Sequence, residues 1–147
     1  MEWQRDNYLI STDVSKINLD IVHHYLSNDS YWAQHIPVDI VMRSIENSLC
    51  FGVYDEQAQI GFARIISDFA TFAYLADVFI LPAYRGKGLS KWLMDVIVGH
   101  PQLQGLRRFL LTTRDAHTLY SQFGFERFPQ PENLMTRGIP DPYKLKK

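Results

Sequence analysis

Apolar and polar residues alternate along this chain in blocks whose period switches between that of a helix and that of a strand. Residues 8–11 are a short apolar run closed by Thr12-Asp13 and read as a strand. Ile17, Ile21, Val22, Tyr25 and Leu26 then share one helical face, with Asp13 or Ser15 as cap and Asn28-Asp29-Ser30 as the break. An aromatic stretch, residues 31–37, leads to a second helix with Ile40, Val41 and Ile45 inward and Asp39 near its positive end. Residues 49–54 and 60–67 read as an antiparallel hairpin, residues 68–71 as another reversal, and residues 72–81 as the third strand of a meander.

The third strand runs into the most informative stretch. Val78, Phe79 and Ile80 are β-branched and aromatic, Pro82 ends the ladder for want of an N–H, and Gly86 and Gly88 permit backbone angles that a side chain forbids. From Leu89 the period changes: Leu89, Trp92, Leu93, Val96 and Ile97 form one apolar helical face, so the glycines open a helix. That helix ends near Gly99-His100-Pro101. Residues 109–113 read as a buried strand parallel to the preceding one, as a strand-helix-strand crossover requires. Ala116, Leu119, Tyr120 and Phe123 then line a helical face, with Asp115 as N-cap, Gly124 as its terminator and a strand starting at Phe125. Beyond Pro129 the prolines leave room for one short strand around residues 134–136 and a mobile tail over residues 143–147.

Composition narrows the class. At 147 residues, with 46% hydrophobic and 21% charged, the chain reads as a single soluble domain, residues 1–147, with one sizeable core. A net charge of −1 supplies no global field toward nucleic acid or an anionic membrane. The one cysteine, Cys50, lies in an apolar run and reads as a buried thiol in a reducing, cytoplasmic setting. The first residues lack the apolar core of a signal peptide, and no run approaches a membrane span. His23 and His24 are adjacent, so they point to different sides of a helix and lack the spacing of a metal pair; no metal site is expected.

The glycine turn carries the chemistry. The first N–H groups of a helix have no internal partner and sit at the positive end of its dipole, so an anion fits there. Arg85 and Lys87 add two formal charges, which favours a phosphate or diphosphate. The P-loop pattern is absent, and the dinucleotide pattern fails because Lys91 stands where its third glycine belongs.

Arg85-Gly86-Lys87-Gly88-Leu89-Ser90 resembles the acetyl-CoA loop of the Gcn5-related N-acetyltransferase (GNAT) family, with Ser90 in the last small position. A second segment matches that family at Ala116, Tyr120, Gly124 and Phe125, while Thr113 stands where the family has asparagine. The resemblance spans about residues 49–128. It implies an α/β fold: a mixed, mostly antiparallel sheet flanked by about four helices, with a splayed parallel strand pair at the cofactor site. It implies acetyl-CoA as donor, bound by the Arg85–Ser90 loop and by backbone groups of Val78, Phe79 and Ile80 left free by a distortion in the strand. The implied activity is direct acetylation of a primary amine, in a small molecule or a peptide, within a ternary complex. Family members often dimerise, so a homodimer is a further expectation.

By the same resemblance the region between the first two helices forms the acceptor pocket, making Tyr31, Trp32 and His35 substrate-facing candidates. Tyr120 is the candidate proton donor to the departing thiolate, because a phenol stays protonated at neutral pH. A lysine-like amine is neutral about once in 2500 molecules at pH 7, so a base or water relay helps, and Asp77 is the nearest carboxylate. The rival reading is a domain that senses acyl-CoA without turnover, and a structural hydrogen-bonding role is the alternative for Asp77.

Overall fold

The computed structural model of the protein describes residues 1–144. The meander forms as its alternation predicts: β2 (Tyr8–Ser11), β3 (Leu49–Asp55), β4 (Ala58–Ser67) and β5 (Phe72–Ile80) pair antiparallel in sequence order. The β4–β5 reversal is held by Asp68, whose carboxylate accepts from the amides of Ala70, Thr71 and Phe72. At the far edge β6 (Arg108–Leu111) pairs parallel with β5, giving a six-stranded mixed sheet. The outermost strand on the other side, β1 (Glu2–Arg5), has no apolar alternation to betray it; three of its four residues are exposed, and it forms by pairing Glu2 with Ser11 through Arg5 with Tyr8.

Among the described residues four helices cover the two faces, as the mixed-sheet reading requires. On one face lie α1 (Leu19–His24), which continues as a wider turn over Tyr25–Asp29, and α2 (Val38–Glu46). Val22, Tyr25, Leu26, Val41 and Ile45 pack there with Cys50, Phe62 and Phe79. The other face carries α3 (Leu89–Val98) and α4 (His117–Ser121), with Leu93, Met94 and Ile97 fully buried against Phe51, Ile65 and Leu75. Each such side chain contributes about 1.5–3 kcal/mol by leaving water. Asn18 caps α1, accepting from the Ile21 amide at 3.2 Å, whereas Asp13 caps a separate turn at Val14–Lys16. At α4 the N-cap position is Ala116 and not Asp115, with no side-chain cap; the Thr113 hydroxyl accepts from the Ala116 amide at 3.0 Å just ahead of the helix. No helix among the described residues is long and apolar enough to cross a membrane.

The sheet carries one irregularity that matters for the site. Ala76 pairs with Arg64 but Phe79 with Phe62, so β5 holds one residue more than β4 across this interval. The extra residue falls at Asp77, whose φ of 57° is left-handed. The slip reverses the phase of the strand: Ala73 and Leu75 point to the α3 side, yet beyond the bulge it is Ile80 that does so, while Phe79 turns to the α1 side.

The C-terminal expectations fare differently. Among the described residues no strand starts at Phe125 and none spans residues 134–136. Phe125 instead packs edge-on against Phe109 and Tyr120, and a short turn at Pro131–Asn133 gives way to irregular chain in which Met135 is 92% exposed. A strand there has no apolar face to bury. Tyr143, assigned to the tail, packs against the α1 and α2 cluster, and residues 145–147 lie outside the described residues.

Candidate active site

The site begins where two strands part. β5 and β6 pair from Phe72 with Arg108 to Leu75 with Leu111; there β6 ends while β5 runs on to Ile80. A hydrogen bond of 2.8 Å between the Tyr74 and Thr112 hydroxyls closes the crotch of this fork. Beyond it, β5 is paired on one side only. The Leu81 amide donates to the Ile60 carbonyl at 2.8 Å, so strand alternation turns the backbone groups of Ile80, and of Val78 before it, toward the open side. The Ile80 carbonyl there accepts from Arg85 Nε at 2.9 Å.

The glycine loop follows directly. Gly86 and Gly88 have φ of 80° and 77°, and a Cβ at either would meet nothing within 4 Å, so glycine is needed for the backbone angle and the space in front of the loop is open. Gly88 is the N-cap of α3, and the amides from Gly86 to Lys91 find no main-chain acceptor among the described residues. Leu89 is buried and presents only its amide, Ser90 is half-buried, and the Lys87 ammonium sits over the Tyr84 ring at 5.7 Å. Arg85 does not face the loop mouth. Its guanidinium turns inward, bonding the Ile80 carbonyl and the Tyr25 hydroxyl (2.9 Å), and so ties the strand end to α1. Phe79, stacked on Tyr25 at 4.0 Å, contributes its side chain to the core, and the same alternation turns its backbone groups toward β4, where it pairs with Phe62, so the free groups expected of Phe79 are not on the open side.

The fork opens into a cavity of about 640 Å³ lined by both strands, the loop after β6 and the aromatic stretch before α2. Tyr31, Trp32, Asp77, Val78 and Tyr120 all reach it. His35 does not: it is exposed, with a left-handed φ of 66°, and is not part of the lining. Asp77 is held at both oxygens, accepting from Trp32 Nε1 on one and Arg64 Nε on the other, each at 2.9 Å. Arg64 also donates to the Ser48 hydroxyl at 3.1 Å. Neither Arg64 nor Arg114, a second arginine of the lining, stood out from the motifs, although a lone charge inside the apolar run Gly61-Phe62-Ala63-Arg64-Ile65 is a signal in itself.

Two titratable groups show how the environment sorts them. Tyr120 is buried at the cavity wall, and its phenol is pushed up to about 12, first by burial and then by Tyr31 and Asp115. Cys50 lies outside the lining, behind the end of α2 with Sγ 3.7 Å from the Ile45 carbonyl, and burial pushes its thiol up to about 12 as well. It is a core thiol with little thiolate to offer. Among the described residues no three His, Cys, Asp or Glu side chains gather to hold a metal.

Comparison with known proteins agrees with this layout. A family profile described as "Acetyltransferase (GNAT) domain" matches residues 46–127, from the end of α2 through the fork, loop and α4. A candidate acetyltransferase of Gibberella zeae is 34% identical over 142 residues, covering 82% of this chain and 79% of its own length. The crystal structure of a candidate GNAT acetyltransferase from Xanthomonas campestris pv. campestris superposes with a TM-score of 0.92 at 51% identity, over 94% of this chain and 97% of that one. A Clostridium acetobutylicum candidate acetyltransferase solved with acetyl-CoA shares the fold, at a TM-score of 0.63 and 16% identity over 84% of this chain and 92% of that one. With its splayed strand pair, glycine-opened helix and matching sequence, the chain belongs to the GNAT family of acetyltransferases.

Proposed function

We propose that this protein acetylates a primary amine directly, using acetyl-CoA, with donor and acceptor held together across the β5–β6 fork. The observation that carries the reading is the continuity of three features: unpaired amides at the start of α3, the one-sided stretch of β5, and a cavity at its end containing Tyr120. The donor set fits coenzyme A. The amides of residues 86–91 with the Lys87 charge suit a diphosphate, and the open space before Gly86 and Gly88 lets it approach the backbone. Main-chain groups of Val78 and Ile80 suit the amide-bearing arm. Bound acetyl-CoA supplies an activated acetyl thioester.

The chain's own residues supply position and proton management. A backbone N–H on the open side of β5 gives oxyanion-type stabilisation without any special side chain. Tyr120 holds its proton at every physiological pH, and because burial makes it a weaker acid than an ordinary thiol by about 3 units, complete transfer from it is uphill by about 4 kcal/mol. Its part is therefore a strong hydrogen bond to developing negative charge, through which it keeps its own proton, and the departing thiolate takes its proton from solvent. Asp77 anchors and relays: its carboxylate orients the incoming amine and hands the amine's proton on to water. Each of its oxygens retains a lone pair after bonding Trp32 and Arg64. The buried state of Cys50, the sole cysteine, supports attack without a covalent acyl-enzyme.

The deciding experiment measures free-thiol release from acetyl-CoA with a panel of amines, beside thermal shift with coenzyme A, ATP and NAD. Stabilisation by coenzyme A alone with amine-dependent thiol release is the expected result. Stabilisation without release for any amine would leave the sensor reading, and stabilisation by ATP or NAD instead would remove both.

A further inference from the structure

The cavity holds two arginines in unlike states. Arg64 is committed: its guanidinium pairs with Asp77 and donates to Ser48, so its charge is cancelled within the wall. Arg114 is not. Among the described residues the ion pairs are Lys16 with Glu2 and Arg64 with Asp77, and Arg114 belongs to neither. Its guanidinium instead lies over the Tyr31 ring, Cζ 3.8 Å from the centroid, while its backbone amide donates to the Tyr31 hydroxyl at 2.9 Å. Ring and amide together hold the side chain against the wall with its fork of N–H donors unspent, the arrangement that recognises a carboxylate or phosphate in two-point fashion.

The same aromatic pair fixes where Arg114 stands relative to Asp77. Trp32 bonds the Asp77 carboxylate through its indole N–H and meets Tyr31 edge-on with ring centroids 5.1 Å apart; Arg114 caps Tyr31. A carboxylate therefore marks one end of the pair and an uncommitted guanidinium the other.

We propose that Arg114 is a specificity-determining residue and that the acceptor is a primary amine carrying an anionic group, carboxylate or phosphate, on the same small molecule. The amine goes to the Asp77 end beside the fork, the anion goes to Arg114, and the body of the molecule lies along Tyr31 and Trp32. Polyamines are disfavoured, because their second cation meets Arg114. This rests on the acceptor lying in the cavity, as the acetyltransferase reading has it.

The test uses matched pairs, phenylalanine against phenylalanine amide and glucosamine 6-phosphate against glucosamine. Calorimetric binding to the full-length protein loaded with coenzyme A is measured beside thiol release from acetyl-CoA. At least one anionic member should bind 10-fold or more tightly than its neutral partner. Arg114→Gln should erase that preference by raising KM for the anionic amine with little change in kcat, and Arg114→Lys should restore part of it. Asp115→Asn, a change to the neighbouring carboxylate of the same wall, should leave the preference standing. Equal binding within both pairs, no binding by either member, or a preference that survives in Arg114→Gln overturns the proposal. Selective binding of the anionic amine without thiol release would sink the acetylation reading and leave this one intact.

Discussion

Tyr120 illustrates how far a single side chain can be read from sequence and where the fold takes over. Its place in the second motif makes it the proton-donor candidate; its burial, invisible in the motif, decides what kind of donor it is. Tyr120→Phe should lower turnover about 10- to 1000-fold with coenzyme A affinity changed less than about 3-fold, measured by steady-state thiol release and by titration. A phenol loses its proton only as pH rises, and a value lifted to about 12 moves that loss upward. Tyr120 should therefore add no descending limb to the rate profile below about pH 10, and a wild-type decline there that vanishes in Tyr120→Phe would contradict the assignment. Asp77 is the second such residue. Asp77→Asn keeps an acceptor for Trp32 and a residue type that tolerates left-handed φ, but it strands the guanidinium of Arg64, whose side chain is only 15% exposed. Stability should fall by about 1–3 kcal/mol in urea denaturation, and Arg64→Met in the same background should recover part of that loss.

Elements show the same division between what local pattern reveals and what only pairing reveals. The strand-loop-helix unit around Pro82 to Val98 is legible because its punctuation is chemical: a proline that cannot pair, two glycines, then a helical period. The bulge at Asp77 is not legible in the residues: the family resemblance implies a distortion in this strand, but Ala76-Asp77-Val78 fits a regular strand equally well and only the pairing of Ala76 with Arg64 and Phe79 with Phe62 places the extra residue. Arg85 was legible as a charge near the loop, but its inward turn depends on Tyr25, 60 positions away in the chain. β1 went unseen because an edge strand exposed at three of four positions has no hydrophobic period. For the loop itself, Gly88→Ala puts a Cβ into open space, so its cost is conformational and not steric, about 1–2 kcal/mol for holding an L-residue in the left-handed region. If the unpaired amides bind the diphosphate, this variant should weaken coenzyme A binding by about 10-fold or more in titration while the far-UV circular dichroism of the folded protein is retained. Unaltered affinity would place the diphosphate elsewhere.

At the scale of the whole molecule, β1 closes the sheet edge over the end of α3, where Arg5 lies over the Trp92 ring and Trp3 meets His100 just past the helix. Sequence marked Gly99-His100-Pro101 only as a helix stop. In the fold the His100 ring is 3% exposed, meets Phe51 edge-on at 5.7 Å and Trp3 of β1 at 6.0 Å, and accepts from the Gln102 amide at Nδ1 (3.1 Å). That bond requires an unprotonated Nδ1, and burial, aided by the N-terminal ammonium, lowers the imidazole below its ordinary value of 6.5. The unfolded chain therefore takes up this proton before the folded one as pH falls. Stability should be unaffected above about pH 7 and should decline as pH drops below 6.5, by at most about 1.4 kcal/mol per pH unit from this single group. The carboxylates that the fold holds low, Glu2, Asp13 and Asp68, act in the same sense but in a lower window: their contribution is present above the ordinary carboxylate range near pH 4 and is lost only on acidification through it. The interval from pH 5 to 6.5 thus separates His100 from these carboxylates, and substitution of His100 separates it from the other histidines. His100→Asn, which keeps an acceptor for the Gln102 amide, should flatten thermal stability across that interval, and a slope that persists unchanged in the variant would assign the acid sensitivity to groups other than the seam between β1 and α3.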